Sequence, residues 1–393
     1  MDESDPDLLP EGLEDRLPRE AAAASGALRA VLDTMAGHGY RQVSPALIEF
    51  ERSLSARMAG IGTQRMVRFV DPASLRMMAI RADMTPQIGR MAQTRLRHAT
   101  RPLRLSYAGP VVTIRGDGLD PARERLQCGA EIVGSDAVTA ACEAVTVAVE
   151  ALAAAGATGI SVDFTLPDLV GELAREALPL DPGTVAAVDR ELDAKDAGGL
   201  VAVGGEAYLP LLYATGEFDP AIGRLAALAP ASAVLAGRIV ALREIAARVG
   251  GAARLTLDPT ERHGFEYQTW FGFTLFAQGV RGIMGRGGTY RIAAPGHAAT
   301  PSRTAARGGV GAEAAAGEPA TGFSLYLDGL IDRLAEAAPP PTRLLFLPVG
   351  HDAAAAARLR GEGWRTLAAL DAADEPARLK CTHRLERGEP LAL

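Results

Sequence analysis

The chain has 393 residues, 48% of them apolar and 23% charged, the balance of an ordinary globular protein of two to three domains. Its 41 basic and 48 acidic residues leave a net charge of −7, which argues against a protein built mainly to grip nucleic acid. Three cysteines (Cys128, Cys142, Cys381) cannot form a disulfide framework and match no paired zinc spacing. The acidic opening and the lack of any apolar run near ~20 residues predict no export signal and no membrane span, and therefore a cytoplasmic protein.

Residues 1–18 read as an extended lead-in, followed by a helix over Arg19–Gly37 with apolar positions at helical spacing. GYRQVSPALIEF (39–50) reads as strand, proline break and strand. Two short strands follow, joined by a turn at Asp71-Pro72, and a helix starts at the Thr85-Pro86 step, where Thr85 suits an N-cap and Pro86 the first helical position. RLSYAGPVVTIRGDG and RERLQCGAEIVG predict an antiparallel pair with a long connection over 116–121. A helix over 136–155 and the strand ISVDFTL (160–166) come next. Residues 167–251 have the Ala/Leu/Glu/Arg patterning of a helical insert. Strand patterns return in ARLTLDP, FEYQTWFGFTLFAQ and RGIMGRGGTYRI. Residues 293–320, rich in Ala, Gly and Pro, read as a mobile loop. TGFSLYLDGLIDRLAEA predicts a strand turning into a helix, PPP at 339–341 a linker, and the remainder a strand (RLLFLPV), a helix over 353–361 and shorter pieces. The expected architecture is α+β, an antiparallel sheet flanked by helices. It comprises a core over 1–338 and a short α/β segment over 339–393.

Four segments carry groups suited to an amino-acid pocket. Asp83 and Thr85 in IRADMTPQ stand two apart at a strand end, so both can point to one side and hold an ammonium, or Thr85 can cap the helix with Asp83 at its positive end. Gln127 and Glu131 share one strand face, with Gly129 leaving volume between them. Buried polar groups of this kind need a partner, either a ligand or a neighbouring side chain. In HGFEYQTWFGFTLF, Glu266 and Gln268 share a face and Tyr267 takes the other, the pattern of a binding strand or of a plain amphipathic one. GRGGTY (285–290) is neither a dinucleotide fingerprint nor a Walker A loop; its glycines give a ligand room or make a tight connection. The six histidines never reach metal-ligand spacing, and the basic run from Arg95 to Arg104 reads as a solvated face more readily than as a nucleic-acid groove.

Taken together these segments resemble the core of a class II aminoacyl-tRNA synthetase, specifically histidyl-tRNA synthetase, over about residues 15–335. SPALIE resembles motif 1, LSYAGPVVTIR…ARERLQCGAEIVG motif 2, HGFEYQTWFGFTLF and GRGGTY the two histidine-specific segments, and TGFSLYLDGL motif 3. The resemblance implies that Asp83, Thr85, Gln127, Glu131, Tyr267, Gln268 and Tyr290 contact histidine, and that the ATP-site positions, in degenerate form, are Thr113, Arg123, His263 and Gly329. Motif 2 arginine falls on Thr113 and motif 3 arginine on Gly329, Asp328 matching the acid before it; the arginine opening the first histidine segment falls on His263, one place from Arg262; the arginine of the second falls on Thr289. Activation of an amino acid brings two anions together while charge builds on phosphorus, and fixed cations stabilise that. Losing two or three charge-assisted bonds costs on the order of 3–9 kcal/mol, or ~10²–10⁶ in rate.

Retained histidine groups beside lost ATP arginines, with little chain left for an anticodon-binding domain, resemble the ATP phosphoribosyltransferase regulatory subunit family. That resemblance implies a non-catalytic subunit without cofactor or tRNA. It would pair with the short catalytic subunit in the first step of histidine biosynthesis, self-associate as a dimer through the motif 1 region, and allow feedback with histidine as effector. The alternatives are an active histidyl-tRNA synthetase and a histidine-binding regulator of another protein, such as a kinase.

Overall fold

The computed structural model describes residues 8–55, 65–116, 121–228, 230, 232–265, 267–293, 317–337 and 343–393. Glu266, most of the expected 293–320 loop, part of the 116–121 connection and the 339–341 linker lie outside the described residues. The chain falls into two compact units, Met1–Ala335 and Glu336–Leu393.

In the first unit the elements follow in chain order as α1 (Pro18–Gly37), β1 (Arg41–Gln42), β2 (Ile48–Phe50), α2 (Glu51–Ser55), β3 (Arg68–Val70), β4 (Met77–Ile80), α3 (Thr85–Gln93), β5 (Leu103–Val112), β6 (Glu124–Val133), α4 (Val138–Ala154) and β7 (Ser161–Thr165). The helical stretch then holds α5 (Leu169–Glu176), α6 (Pro182–Asp193), α7 (Ala197–Ala202), α8 (Leu209–Tyr213), β8 (Gly216–Glu217), α9 (Phe218–Ala226) and α10 (Ala233–Val249). Strands β9 (Arg254–Leu257), β10 (Gln268–Phe276), β11 (Gly285–Ala293) and β12 (Gly317–Tyr326) lead into α11 (Asp328–Ala337).

Among the described residues nine of these strands form one sheet in the order β1-β5-β6-β12-β11-β10-β7-β9-β8, and the other three form a small sheet in the order β2-β4-β3. The centre of the large sheet is antiparallel, with β1–β5 and β7–β9 as parallel pairs. A parallel pair cannot be closed by a tight turn. Residues between β7 and β9 therefore form a crossover, and α5–α10 fill it; β8, two residues on the outer edge, had no sequence signal. Helix α1 buries Ala24, Ala27, Val31 and Met35, one stripe of an otherwise polar helix. Helix α4 is buried on almost every side, because it lies between the sheet and helices α1 and α10. Alanine and valine suit that position, being small enough for close approach.

Three expectations need correction. Thr85 is inside α3 and not its cap: the N-cap is Met84, with no side-chain bond, and the Thr85 amide donates to Asp83 Oδ1 at 3.0 Å. Strand β10 starts at Gln268, three residues after the expected Phe265, and its register with β11 shifts between Gln268 and Gly272. Strand β12 starts at Gly317, inside the expected loop, where pairing with β11 holds even glycine and proline extended.

The second unit holds β13 (Leu344–Leu347), α12 (Ala353–Gly361), β14 (Arg365–Ala368), β15 (His383–Glu386) and β16 (Glu389–Ala392), in the sheet order β14-β13-β15-β16. Leu345, Leu347, Ala356, Leu359 and Leu385 make its core. The β15–β16 hairpin turns through Arg387 and Gly388, at φ 49° and 83°, as a two-residue hairpin loop demands.

Candidate ligand site

Two rows of residues across the central sheet build the site. In one, Tyr107 of β5 pairs with Gly129 of β6, which pairs with Ser324 of β12. In the other, Glu131 of β6 pairs with Gly322 of β12, then Gly288 of β11, then Gly272 of β10. The first row corrects the idea that Gly129 leaves open volume. A Cβ at Gly129 would stand 2.5 Å from the Tyr107 hydroxyl, so the ring of Tyr107 already fills the space. The second row holds the actual opening. A Cβ at Gly322 would collide with the Glu131 carboxyl, so the glycine lets that carboxyl lie over the sheet.

The polar groups on these rows form one hydrogen-bonded network. Tyr107 Oη donates to Glu131 Oε1 at 3.0 Å and Tyr290 Oη to Glu131 Oε2 at 2.8 Å. The Tyr107 hydroxyl also meets Thr85 Oγ1 at 3.1 Å and Ser324 Oγ at 3.0 Å. Gln127 Nε2 donates to Ser324 Oγ at 2.7 Å and to Asp83 Oδ1 at 2.8 Å, and its Oε1 accepts from the Met84 amide at 3.0 Å. A network with its members satisfied is rigid, and low local polarity makes each bond count.

Glu131 is 1% exposed. Burial raises its pKa from 4.5 to about 8 and outweighs the hydrogen bonds from Tyr290, Thr85 and Tyr107, which favour the anion. Its hydrogen-bond partners here are hydroxyls and not cations, and a buried anion without a cation against it is costly. Glu131 is therefore an acid that keeps its proton at neutral pH. The phenols of Tyr107, Tyr267 and Tyr290 are pushed up too, by burial first, with Glu131 adding to all three and Asp83 to Tyr107 and Tyr267.

A cavity of roughly 190 Å³ opens over this network. One water needs ~10–15 Å³ on the same scale, so the cavity takes a small organic molecule. Asp83, Thr85, Glu131, Tyr267, Gln268 and Tyr290 line it, with backbone from Gly287, Gly288 and Gly322. Tyr267 and Tyr290 meet edge to face, centroids 6.0 Å apart. Tyr267 and Gln268 thus face the same space and do not alternate, as strand reading predicted, because Tyr267 precedes the strand. Gln268 is 6% exposed and its Oε1 has no hydrogen-bond partner among the described residues. Gln127 is the departure from expectation: it does not line the cavity, its amide being consumed beneath it by Asp83, Ser324 and Met84. Tyr107 and Ser324 belong to the network and were missed; the glycine facing a tyrosine in the next strand was the available signal.

Of the expected ATP-site positions, Thr113 and Arg123 line the cavity, whereas His263 and Gly329 do not. Thr113 Oγ1 donates to the Arg115 carbonyl at 2.8 Å. His263 is exposed. Arg262, its neighbour, is turned away: its Nη1 donates to the Pro167 carbonyl at 2.6 Å and pairs with Asp189 at 3.1 Å. Gly329 opens α11 beside Val280, and Asp328 before it pairs with Arg16 at 2.5 Å and accepts the Leu126 amide at 3.1 Å. Thr289 bonds Thr269 and the Phe271 amide. Cations nevertheless reach the cavity from positions the motifs do not mark, since Arg65, Arg125 and Arg286 line it with Arg123. In the basic run, Arg101 pairs with Glu318 and Arg104 with Glu143. Among the described residues no group of three or more His, Cys, Asp or Glu could hold a metal ion, and no helix is long and apolar enough to cross a membrane.

The chain's sequence matches the family profile described as histidyl-tRNA synthetase over residues 12–330. It is 38% identical to an ATP phosphoribosyltransferase regulatory subunit of Rhodospirillum centenum, covering 96% of this chain and 94% of that protein. It is 39% identical to the corresponding subunit of Paramagnetospirillum magneticum, covering 96% of each. Among solved structures it resembles an ATP phosphoribosyltransferase regulatory subunit/histidyl-tRNA synthetase from Bacillus halodurans, with a TM-score of 0.74, 18% identity and coverage of 95% of this chain and 96% of that one. It likewise resembles histidyl-tRNA synthetase from Nostoc, with a TM-score of 0.73, 16% identity and coverage of 95% and 88%. The fold of the core is that of the histidyl-tRNA synthetases.

Proposed function

Because the chain belongs to the ATP phosphoribosyltransferase regulatory subunits, a family built on the histidyl-tRNA synthetase fold, we propose that it activates a short catalytic subunit and that histidine held over Glu131 regulates the pair. The catalytic residues then sit on the partner, in the cytoplasm, and this chain contributes a two-state element that histidine biases. Self-association through the motif 1 region belongs to the same proposal.

The observation that carries it is the contrast between the carboxyls that are kept and the cations that are lost. Asp83 and Glu131 are held by a closed network, while the positions that would hold ATP arginines are Thr113 and Gly329. Asp83 suits the ammonium of an α-amino acid. Glu131, protonated when the site is empty, can donate to an imidazole nitrogen or pass its proton and pair as carboxylate with imidazolium. Tyr267 and Tyr290 give the ring flat apolar walls, and the free Gln268 Oε1 can accept an N–H.

The test is to mix the purified chain with a short-form catalytic subunit and measure phosphoribosyl transfer with and without histidine. Activation that histidine reverses is the expected result; absence of a complex would refute the proposal. A second reading, an active histidyl-tRNA synthetase, draws on the four arginines in the cavity. It predicts histidine-dependent exchange of pyrophosphate into ATP, and we expect none.

A further inference from the structure

We propose that Arg286, with Arg125 and Arg65 lining the same cavity, forms an oxyanion subsite taking a carboxylate or a phosphate group. The identity of the carboxylate as that of bound histidine rests on the reading above; the subsite itself does not.

Arg286 lies in β11 and lines the cavity. Its guanidinium packs against backbone at Gly264, where an added Cβ would stand 2.5 Å from Arg286 Cζ, and sits 5.7 Å from the centre of the Phe265 ring. Only glycine at 264, at φ +81°, permits this approach. The Nε of Arg286 is buried and has no hydrogen-bond partner among the described residues. A guanidinium donor left buried and unmade is costly, and an oxyanion would repay it with a charge-assisted bond.

Tyr326 places the other arginines. Arg125 Cζ is 5.7 Å from its ring centre. Burial and the Asp83 charge drive the Tyr326 phenol up, and the guanidiniums of Arg125, Arg286 and Arg65 oppose that rise. The lining points the same way: among the described residues four arginines and two carboxyl groups, Asp83 and Glu131, line the cavity, and burial raises the pKa of Glu131 to about 8. A cavity with that surplus favours a ligand carrying negative charge. None of these cations stands at Thr113 or Gly329, so the subsite is built from different parts of the chain.

Calorimetry of the full chain at pH 7 and low salt tests this with three probes: histidine, histamine (which lacks the carboxylate) and inorganic phosphate. Each is titrated into the wild type, Arg286→Gln and Arg286→Lys, with circular dichroism to confirm folding. If the oxyanion is a carboxylate, Arg286→Gln weakens histidine at least about tenfold, the loss of one charge-assisted bond, and leaves histamine within about twofold. Arg286→Lys recovers part of the loss. If it is a phosphate, the same variants weaken inorganic phosphate and leave histidine alone. Equal binding of histidine and of phosphate by all three proteins overturns the subsite while the histidine reading stands. Phosphate uptake through Arg286 without any histidine binding keeps the subsite and removes the histidine reading. A wild type that binds none of the probes overturns both.

Discussion

Two groups of polar side chains at the cavity are built on opposite principles. Around Glu131, the side chains of Asp83, Thr85, Tyr107, Gln127, Tyr290 and Ser324 are joined to one another before any ligand arrives. The arginines are long side chains at least partly exposed, and the Arg286 Nε has no hydrogen-bond partner among the described residues. The first arrangement holds its shape and selects a ligand by fit. The second attracts charge and gains its partner only on binding. Preorganised polar groups discriminate strongly because an imperfect ligand leaves them unmet; charged groups of flexible reach mainly add affinity and speed of encounter.

The largest effect is expected from Gly322→Ala. The new methyl would occupy the place of the Glu131 carboxyl, so that side chain must leave its bonds to Tyr107 and Tyr290. Overpacking of this kind costs ~1–3 kcal/mol. Urea unfolding should show that loss, and calorimetry should show no histidine binding. Binding at wild-type strength would mean that Glu131 is not at the contact.

Next comes Glu131→Gln, which keeps the shape and removes the titration. The pKa of Glu131 is raised from 4.5 in the unfolded chain to about 8 in the fold. A proton held more tightly by the folded state stabilises it, and this stabilisation is complete below about pH 4.5 and lost as pH rises through about 8. The melting temperature of the wild type, relative to Glu131→Gln, should therefore fall between pH 5 and pH 9. A difference that stays constant, or grows with pH, would contradict a protonated Glu131. Histidine affinity at pH 7 should fall by roughly 10–100-fold, the loss of a charge-assisted pair.

The smallest effect is expected from Thr85→Val. Thr85 does not cap α3, and its hydroxyl lies 3.1 Å from Tyr107 Oη at the edge of the Glu131 network. The cost should be ~0.5–1.5 kcal/mol with helix content unchanged by circular dichroism. A drop in helicity would restore the capping role.

How much of this was legible in the chain varies by element. Strands β5 and β6 were readable because β-branched and apolar residues mark ten residues of each, and pairing from Leu103–Val133 to Val112–Glu124 keeps them regular. The edge strand β8 was not, since two residues carry no periodicity. Asp83, Thr85, Glu131, Tyr267, Gln268 and Tyr290 were named from local spacing and family resemblance, and the fold brings all six to one cavity. Gln127 was named with them but is enclosed beneath, because which groups consume an amide depends on strands more than 40 residues away, as with Asp83 at a separation of 44.

The chain by itself determined the α+β plan, the order of the binding segments and the loss of arginine at 113 and 329, because each is written in local pattern or residue identity. Only the tertiary structure decided that Gly129 makes room for Tyr107 and Gly322 for Glu131, that Thr85 faces a tyrosine, and that arginines from four separate positions share one cavity. Those outcomes depend on strand register and on what a neighbouring strand leaves open, and neither quantity exists until the sheet has formed.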